Sequence, residues 1–314
     1  MIPKLNLAPE LEIDYAMEQA DLLIKKTLII SPKILRHITD HLQKAKGKGI
    51  RAALLIRASV KENNLVPKEA VYAAASIEIF HLATLVHDDI IDDAKIRRGV
   101  ASVQSKFGKK QAVICGDYLF CAAVALLSDI YHPYANLANT FARSVYKIPL
   151  GELRQYANAF NLEINFFEYL KIIQGKTAAL FYLAAYGGGV LSSYEENVKE
   201  AGTLGKFGNY FGMAFQISDD CKDYKTIDIT QKSGNIDITN GVVNLPLLLS
   251  FKDKPELKTK AREKDYAELI KIVEKIGVNR ALDVADRYKR KALKILNKLP
   301  AHKKEPLEEI LKDI

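Results

Sequence analysis

"HDDIIDDAKIRRG", residues His87 to Gly99, is the stretch on which the reading of this chain turns. Four aspartates, Asp88, Asp89, Asp92 and Asp93, fall within six positions, and two arginines, Arg97 and Arg98, follow at once. Carboxylates that close repel one another, and burying them costs several kcal/mol per ion unless a cation compensates. The spacing returns in "FQISDDCKDY", with Asp219, Asp220 and Asp223, so both stretches read D-D-x-x-D. On a helix, residues four apart lie roughly 40° apart around the axis and one turn along it. Asp88 with Asp92, and Asp219 with Asp223, therefore share a face. A carboxylate-only set selects a hard cation, and magnesium takes one or two carboxylates together with water and phosphate oxygens.

Basic residues supply the other half of the argument. "KGKGIR" offers Lys46, Lys48 and Arg51, with glycines that let backbone approach an anion, and "QGKTAAL" adds Lys176 and Thr177. The planar fork of Arg97 and Arg98 suits phosphate oxygens. Grouped with a magnesium site, these residues predict a reaction between two phosphorylated substrates.

The rest of the sequence sets the frame. Its 314 residues are 48% hydrophobic and 27% charged, ordinary for a soluble globular chain, and are read as a single domain over residues 1–314. A formal charge of +8 suits anionic substrates or an acidic membrane face and chooses neither. Interleaved aromatic and basic motifs for nucleic acid are absent. Cys115, Cys121 and Cys221, an odd number with no CxxC spacing, predict neither a disulfide framework nor a zinc site, and with an N-terminus that does not read as a signal peptide they point to a cytoplasmic protein.

Hydrophobic periodicity is helical nearly throughout. Ser31 and Pro32 predict a helix start in "SPKILRHITDHLQ". A nearly apolar pattern runs from Pro67 with no Gly or Pro before Gly99. Further helices are expected near 109–129, 134–159, 165–190, 194–223, 241–252, 256–276 and 279–299. The uncharged run from 177 to 194 approaches the length of a membrane span, but its glycines and serines favour a buried core helix. The polar stretch 225–241 is expected to be a loop of the kind that forms lids. Lysines in "DRYKRKALKILNKL" are expected on a solvated face. The fold predicted is all-α.

Taken together, these stretches resemble the trans-isoprenyl diphosphate synthase (polyprenyl synthetase) family over most of the chain. "HDDIIDDAKIRRG" and "FQISDDCKDY" look like its two aspartate-rich motifs, "GKGIR" is similar to its GKRxR segment, "GELRQ" at 151–155 to its GExxQ, and "GKT" at 175–177 to its Lys-Thr pair. The resemblance implies an isoprenoid synthase-type bundle of about ten or more helices around a deep central cavity, usually a homodimer. It implies head-to-tail condensation of isopentenyl diphosphate onto an allylic diphosphate, farnesyl or geranylgeranyl, with about three Mg2+ ions.

Carried over by position, Asp88, Asp92 and Asp219 would be the principal magnesium ligands, with Asp89 and Asp223 supporting, and Asp220 and Lys176 would complete the catalytic set. Arg97, Lys176, Thr177, Gln216 and Lys232 would hold the allylic diphosphate. Lys48, Arg51, His81 and Arg98 would hold isopentenyl diphosphate. Gly49 departs from the family, which usually carries Arg or Lys there. Ala83 and Thr84, five and four positions before Asp88, would form the first floor beneath the growing chain. That place is commonly aromatic in short-chain members, and small residues here predict a long product, about C30 to C40. A lower floor would come from Phe141, Val145 and Ile148.

The resemblance leaves room for a small second subunit and for peripheral contact with a membrane. Two other classes compete: head-to-head synthases of the squalene or phytoene type, and a noncatalytic subunit supporting a partner. Arg97, Arg98, Lys48 and Arg51 favour the head-to-tail reaction, and two intact aspartate sets favour catalysis.

Overall fold

The computed structural model describes all residues except 1–2, 46, 129, 131–134, 194–197 and 226–236. In chain order the helices are α1 (Ile13–Ile29), α2 (Arg36–Leu42), α3 (Ile50–Ala58), α4 (Glu69–Ile91), α5 (Val103–Phe107), α6 (Lys109–Ser128), α7 (Ala135–Ala157), α8 (Phe166–Ile173), α9 (Ala179–Ser193), α10 (Val198–Lys225), α11 (Leu245–Asp253), α12 (Leu257–Arg262), α13 (Tyr266–Ile276), α14 (Val278–Leu296) and α15 (Ala301–Ile310). One π-helical turn, Gln174–Ala178, joins α8 to α9. Two 3-10 turns, Asp237–Asn240 and Leu311–Asp313, and two short antiparallel ladders are also described: β1 (Glu10–Leu11) with β2 (Val66–Pro67), and β3 (Ile96–Arg97) with β4 (Val100–Ala101). The expectation of an all-α fold holds.

The helices gather into two compact units that are interleaved along the sequence. The first comprises residues 1–141, 183–205 and 299–310, and the second residues 142–182, 206–298 and 311–314.

In the first unit α4 is the central element and packs on α1, α3 and α6. Its alanines, Ala70, Ala73, Ala74, Ala75 and Ala83, are buried and let neighbouring helices come close. Both α4 and α6 are long and apolar enough to cross a membrane, but α4 spends most of that surface on the core. The glycine run does not break α9, which continues to Ser193. Its glycines instead allow close approach: a Cβ on Gly188 would lie 2.4 Å from the Leu55 carbonyl oxygen, and one on Gly189 would lie 2.8 Å from the Ala201 Cα.

The second unit buries Tyr169, Ile173, Met213, Ile217, Leu247, Leu269 and Val273 in one cluster built by α8, α10, α11, α13 and α14. The lysine-rich α14 turns Ala281, Ala285, Ala292 and Leu296 inward, and Arg290, Lys291 and Lys294 are exposed.

Two expectations are corrected. The helix expected from Ser31 starts at Arg36, and Ser31 instead bonds its hydroxyl to Thr39 Oγ1 at 2.8 Å. The segment expected as one helix over 256–276 divides at 263–265, where Lys264 takes a left-handed φ of 60°. The helix expected from the apolar pattern after Pro67 is present as Glu69–Ile91. Asp93 supplies the stop: its φ is 47°, its N–H donates to Ile90 O at 3.4 Å, and Ala94 N–H donates to Asp89 O at 2.9 Å. This is the paired-bond closure of a Schellman motif, with Asp in the place that usually holds Gly.

Candidate active site

The four clustered aspartates have three different fates. Asp88 is half-buried and Asp92 exposed, one turn apart at the C-terminal end of α4. Asp89 turns inward, 3% exposed, and its Oδ1 accepts from Arg97 Nε at 2.8 Å and Nη2 at 2.5 Å. Burial raises its pKa and the Arg97 guanidinium opposes that rise. Asp93 closes the helix and pairs with Lys95 at 2.9 Å and Lys109 at 3.2 Å.

Arg97 and Arg98 sit on the β3–β4 hairpin, whose two-residue turn is Arg98–Gly99 with φ of 50° and 79°. Two successive positive φ angles define a type I′ turn, and a bulky residue held there stores strain typical of functional sites. The Arg98 guanidinium packs over Gly47, where a Cβ would come within 2.5 Å of Nη1, and donates to Ala45 O at 3.2 Å. His41 braces the hairpin from α2: its Nε2 lies 2.7 Å from Ala101 O and its Nδ1 3.2 Å from Lys106 Nζ. Because an ammonium only donates, Nδ1 accepts and Nε2–H donates.

A cavity of about 140 Å³ in this unit is lined by Gly47, Gly49, Glu78, His81, Leu85 and Arg98, among others. Desolvation first, then the charges of Arg51, Arg98 and Arg97, hold His81 well below the usual histidine pKa. Gly49, the N-cap of α3, has φ of 63° and no side chain to cap with. Glu78 on α4 replaces it, its Oε1 accepting from Arg51 N–H and Ala52 N–H, each at 3.0 Å. Lys48 lies beside these residues, exposed.

Thr84 lies within roughly 40° of Asp88 around the helix and Ala83 about 140° away. Thr84 is half-buried, its hydroxyl returned to His81 O at 2.8 Å, while Ala83 is 2% exposed. One turn further down, Phe80 packs on Phe120 and Phe141 with ring centroids at 5.5 and 6.1 Å.

The second motif, in the other unit, repeats the division of labour. Asp219 is exposed, 3.3 Å from Lys222, and Asp223 is half-buried. Asp220 turns inward, 5% exposed, accepting from Tyr169 OH at 2.6 Å and Gln216 Nε2 at 2.7 Å. Burial, with Asp237 nearby, pushes its pKa up to about 7. Thr177 continues the chain of bonds, its hydroxyl donating to Gln216 Oε1 at 2.6 Å. Lys176 stands on the π turn, a distortion common at functional sites. Glu152 holds it at 2.9 Å, and Gly151 meets Gly175 so closely that a Cβ on Gly151 would lie 2.4 Å from Lys176 N. Lys232, and most of the stretch expected as a lid loop, lie outside the described residues.

Within the first unit the structure thus brings together Asp88, Asp89, Asp92, Arg97, Arg98 and His81, and within the second Lys176, Thr177, Gln216, Asp219, Asp220 and Asp223. Sequence reasoning missed Glu78, His41, Glu152 and Tyr169 in their supporting roles. Only the Glu in "GELRQ" carried a signal. The donor set fits magnesium, since it offers carboxylate oxygens in pairs. Among the described residues no three His, Cys, Asp or Glu converge to hold a metal alone, so waters and substrate oxygens would complete the shell.

An all-helical fold with two such carboxylate-bearing helices is that of the isoprenoid synthases. The sequence model of the polyprenyl synthetase family matches residues 32–276. Heptaprenyl diphosphate synthase component 2 of Bacillus subtilis is 32% identical over 268 residues, 83% of this chain and 76% of the relative. The crystal structure of heptaprenyl diphosphate synthase from Staphylococcus aureus superposes with a TM-score of 0.88 at 28% identity, covering 97% of this chain and 98% of the other. Polyprenyl synthase from Caulobacter crescentus, complexed with calcium and isoprenyl diphosphate, does so with a TM-score of 0.84 at 30% identity, covering 95% and 93%. The chain belongs to the polyprenyl synthetase family and is a trans-prenyltransferase.

Proposed function

We propose that this protein condenses isopentenyl diphosphate head to tail with farnesyl or geranylgeranyl diphosphate, releasing an all-trans polyprenyl diphosphate of about C30 to C40. The observation that carries this reading is the repeated use of three carboxylates: in each motif the middle one is buried and held by the protein, while of the flanking pair one is exposed and the other half-buried. Magnesium, when bound by Asp88, Asp92, Asp219 and Asp223, would neutralise the charge that develops on a departing diphosphate. Arg97 and Lys176 would hold the oxygens of that leaving group, where preorganised cations stabilise charge as it forms. Lys48, Arg51, Arg98 and neutral His81 would seat isopentenyl diphosphate, so that positioning supplies much of the remaining rate enhancement.

Long product length is supported by the absence of an aromatic ring at Ala83 and Thr84, and by the heptaprenyl names of two relatives. A divalent metal and an isoprenyl diphosphate accompany the Caulobacter relative. Assembly as a homodimer is supported by α6, which exposes Val113, Ile114, Phe120 and Val124 along one stripe, a surface a second copy would cover. The name of the Bacillus relative as a component keeps a second subunit in play.

Purified protein with magnesium, farnesyl diphosphate and labelled isopentenyl diphosphate should give products of C30 or longer, sized as alcohols after dephosphorylation. Products that stop at C20 would refute the long-chain reading. No product, with or without an added second subunit, would refute the activity.

A further inference from the structure

The second unit contains a cavity of about 500 Å³ that takes no part in the chemistry described above. Lys147 and Arg154 of α7, Lys171 of α8 and Lys206 of α10 line it, and among the described residues no acidic side chain does. Glu168, outside the lining, pairs with Arg154 at 3.0 Å and Lys171 at 3.5 Å. Among the described residues Lys147 and Lys206 have no acidic partner. Lys147 lies instead over the Tyr182 ring, 5.9 Å from its centroid, and Tyr210, also in the lining, is faced by Lys291 at 5.6 Å. Four cations, two tyrosine rings and a volume in the range of small-molecule sites make a receptor for an anion with a planar or apolar body.

The cavity is separate from the proposed chemistry yet mechanically joined to it. None of the motif aspartates lines it, nor does Lys176, but Gly151, Gln174 and Gly175 do. Gly151 and Gly175 are the contact against which the π turn carrying Lys176 rests. A ligand drawing Lys147 and Lys171 together would load that contact directly.

We propose that this cavity binds a phosphorylated organic anion, of nucleotide or prenyl diphosphate size, and that its occupancy is felt at Lys176. The binding is independent of the reaction assigned above; the coupling rests on it. The probes are a fluorescent trinitrophenyl-ADP and a nonhydrolysable farnesyl thiodiphosphate. Both are titrated into the full-length protein with chelator present, so that uncompensated aspartates disfavour the metal-dependent site. At least one should bind saturably, and Lys147→Glu with Lys206→Glu should weaken it by about tenfold or more, a change equivalent to about 1.4 kcal/mol. The probe that responds identifies the nucleotide or the lipid as the source of the anion. Failure of both probes to bind, or equal binding by the double variant, overturns the site.

With magnesium restored, the double variant should condense isopentenyl diphosphate at about the wild-type rate. The responding probe should shift the KM for allylic diphosphate more in wild type than in the double variant, since the farnesyl analogue also competes with the allylic substrate in both proteins. An equal shift in both proteins would mean competition at the reaction site and would overturn the coupling. Because binding is read without turnover, loss of this proposal and loss of the prenyltransferase reading remain distinguishable.

Discussion

Two nitrogens of Arg97, Nε and Nη2, donate to the same carboxylate oxygen of Asp89, at 2.8 and 2.5 Å. The pair fixes the hairpin arginine to the helix end and neutralises the one aspartate of the motif that faces the core. Removing the cation would leave a buried carboxylate uncompensated, which costs about 2–3 kcal/mol. Arg97→Ala should therefore lower stability by about that amount and activity far more. Arg97→Lys keeps the charge but loses the fork, and should recover part of the stability with little of the rate. Denaturant melts and kcat measured together check this: a rate loss without a stability loss in Arg97→Ala would show that Asp89 finds another partner.

Gly151→Ala is expected to act through backbone rather than charge. The added methyl would sit 2.4 Å from Lys176 N and 2.9 Å from Gly175 C, so the helices must part. Overpacking of this kind costs about 1–3 kcal/mol. It also displaces the turn that aims Lys176, so kcat should fall by about tenfold or more. Glu152→Gln, which loses the charge of the Lys176 partner but keeps its shape, should leave stability nearly unchanged and shift the KM for allylic diphosphate. A Gly151→Ala enzyme with normal kinetics would show that the contact has slack.

The motif residues were legible because their chemistry is written in charge and spacing: D-D-x-x-D places two carboxylates on one face whatever the fold around them. What could not be read was the partner of each inward carboxylate. Asp89 and Asp220 are equivalent in sequence, yet one meets Arg97, eight residues on, and the other meets Tyr169, 51 residues back. A helix boundary failed where a single φ decided it. Lys264 adopts left-handed backbone, and nothing in its side chain demands it. The glycine run 187–189 is intrinsically a weak helix former. Close packing on Leu55, Ala58 and Ala201 overrides that preference.

Product length should answer to Thr84. It shares the face of Asp88 and is half-buried, whereas Ala83 is packed against neighbours. Thr84→Phe is expected to shorten the product to about C20 with the fold intact. Ala83→Phe has less room, and overpacking would cost about 1–3 kcal/mol along with any shortening. Chromatography of dephosphorylated products from both variants, with thermal melts, separates the two effects. Unchanged length in Thr84→Phe would move the floor lower, to the Phe80 and Phe141 rings.

Lys303 makes the stability of the first unit depend on pH in an unusual direction. It is 2% exposed, yet its Nζ donates to Ala58 O at 3.1 Å, at the C-terminal end of α3, and to Ser192 Oγ at 2.6 Å, with Glu200 3.8 Å away. Desolvation dominates, and its pKa falls from 10.5 to about 8 despite Glu200. Below about pH 8 both folded and unfolded chains carry the proton, and the folded state bears the full cost of a buried ammonium. Between about pH 8 and 10.5 the unfolded chain holds more protons than the folded one, so stability rises with pH through this window. Each pKa unit corresponds to about 1.4 kcal/mol, so the rise attributable to Lys303 is about 3 kcal/mol. Other lysines, tyrosines and cysteines titrate in the same range, so the measurement is a difference. Wild-type and Lys303→Met proteins are unfolded in guanidinium at pH 7.5 and pH 10, and the stability of wild type relative to the variant should climb by about 2–3 kcal/mol. A difference that stays flat would mean that Ser192, Ala58 and Glu200 together hold the charge as well as water does.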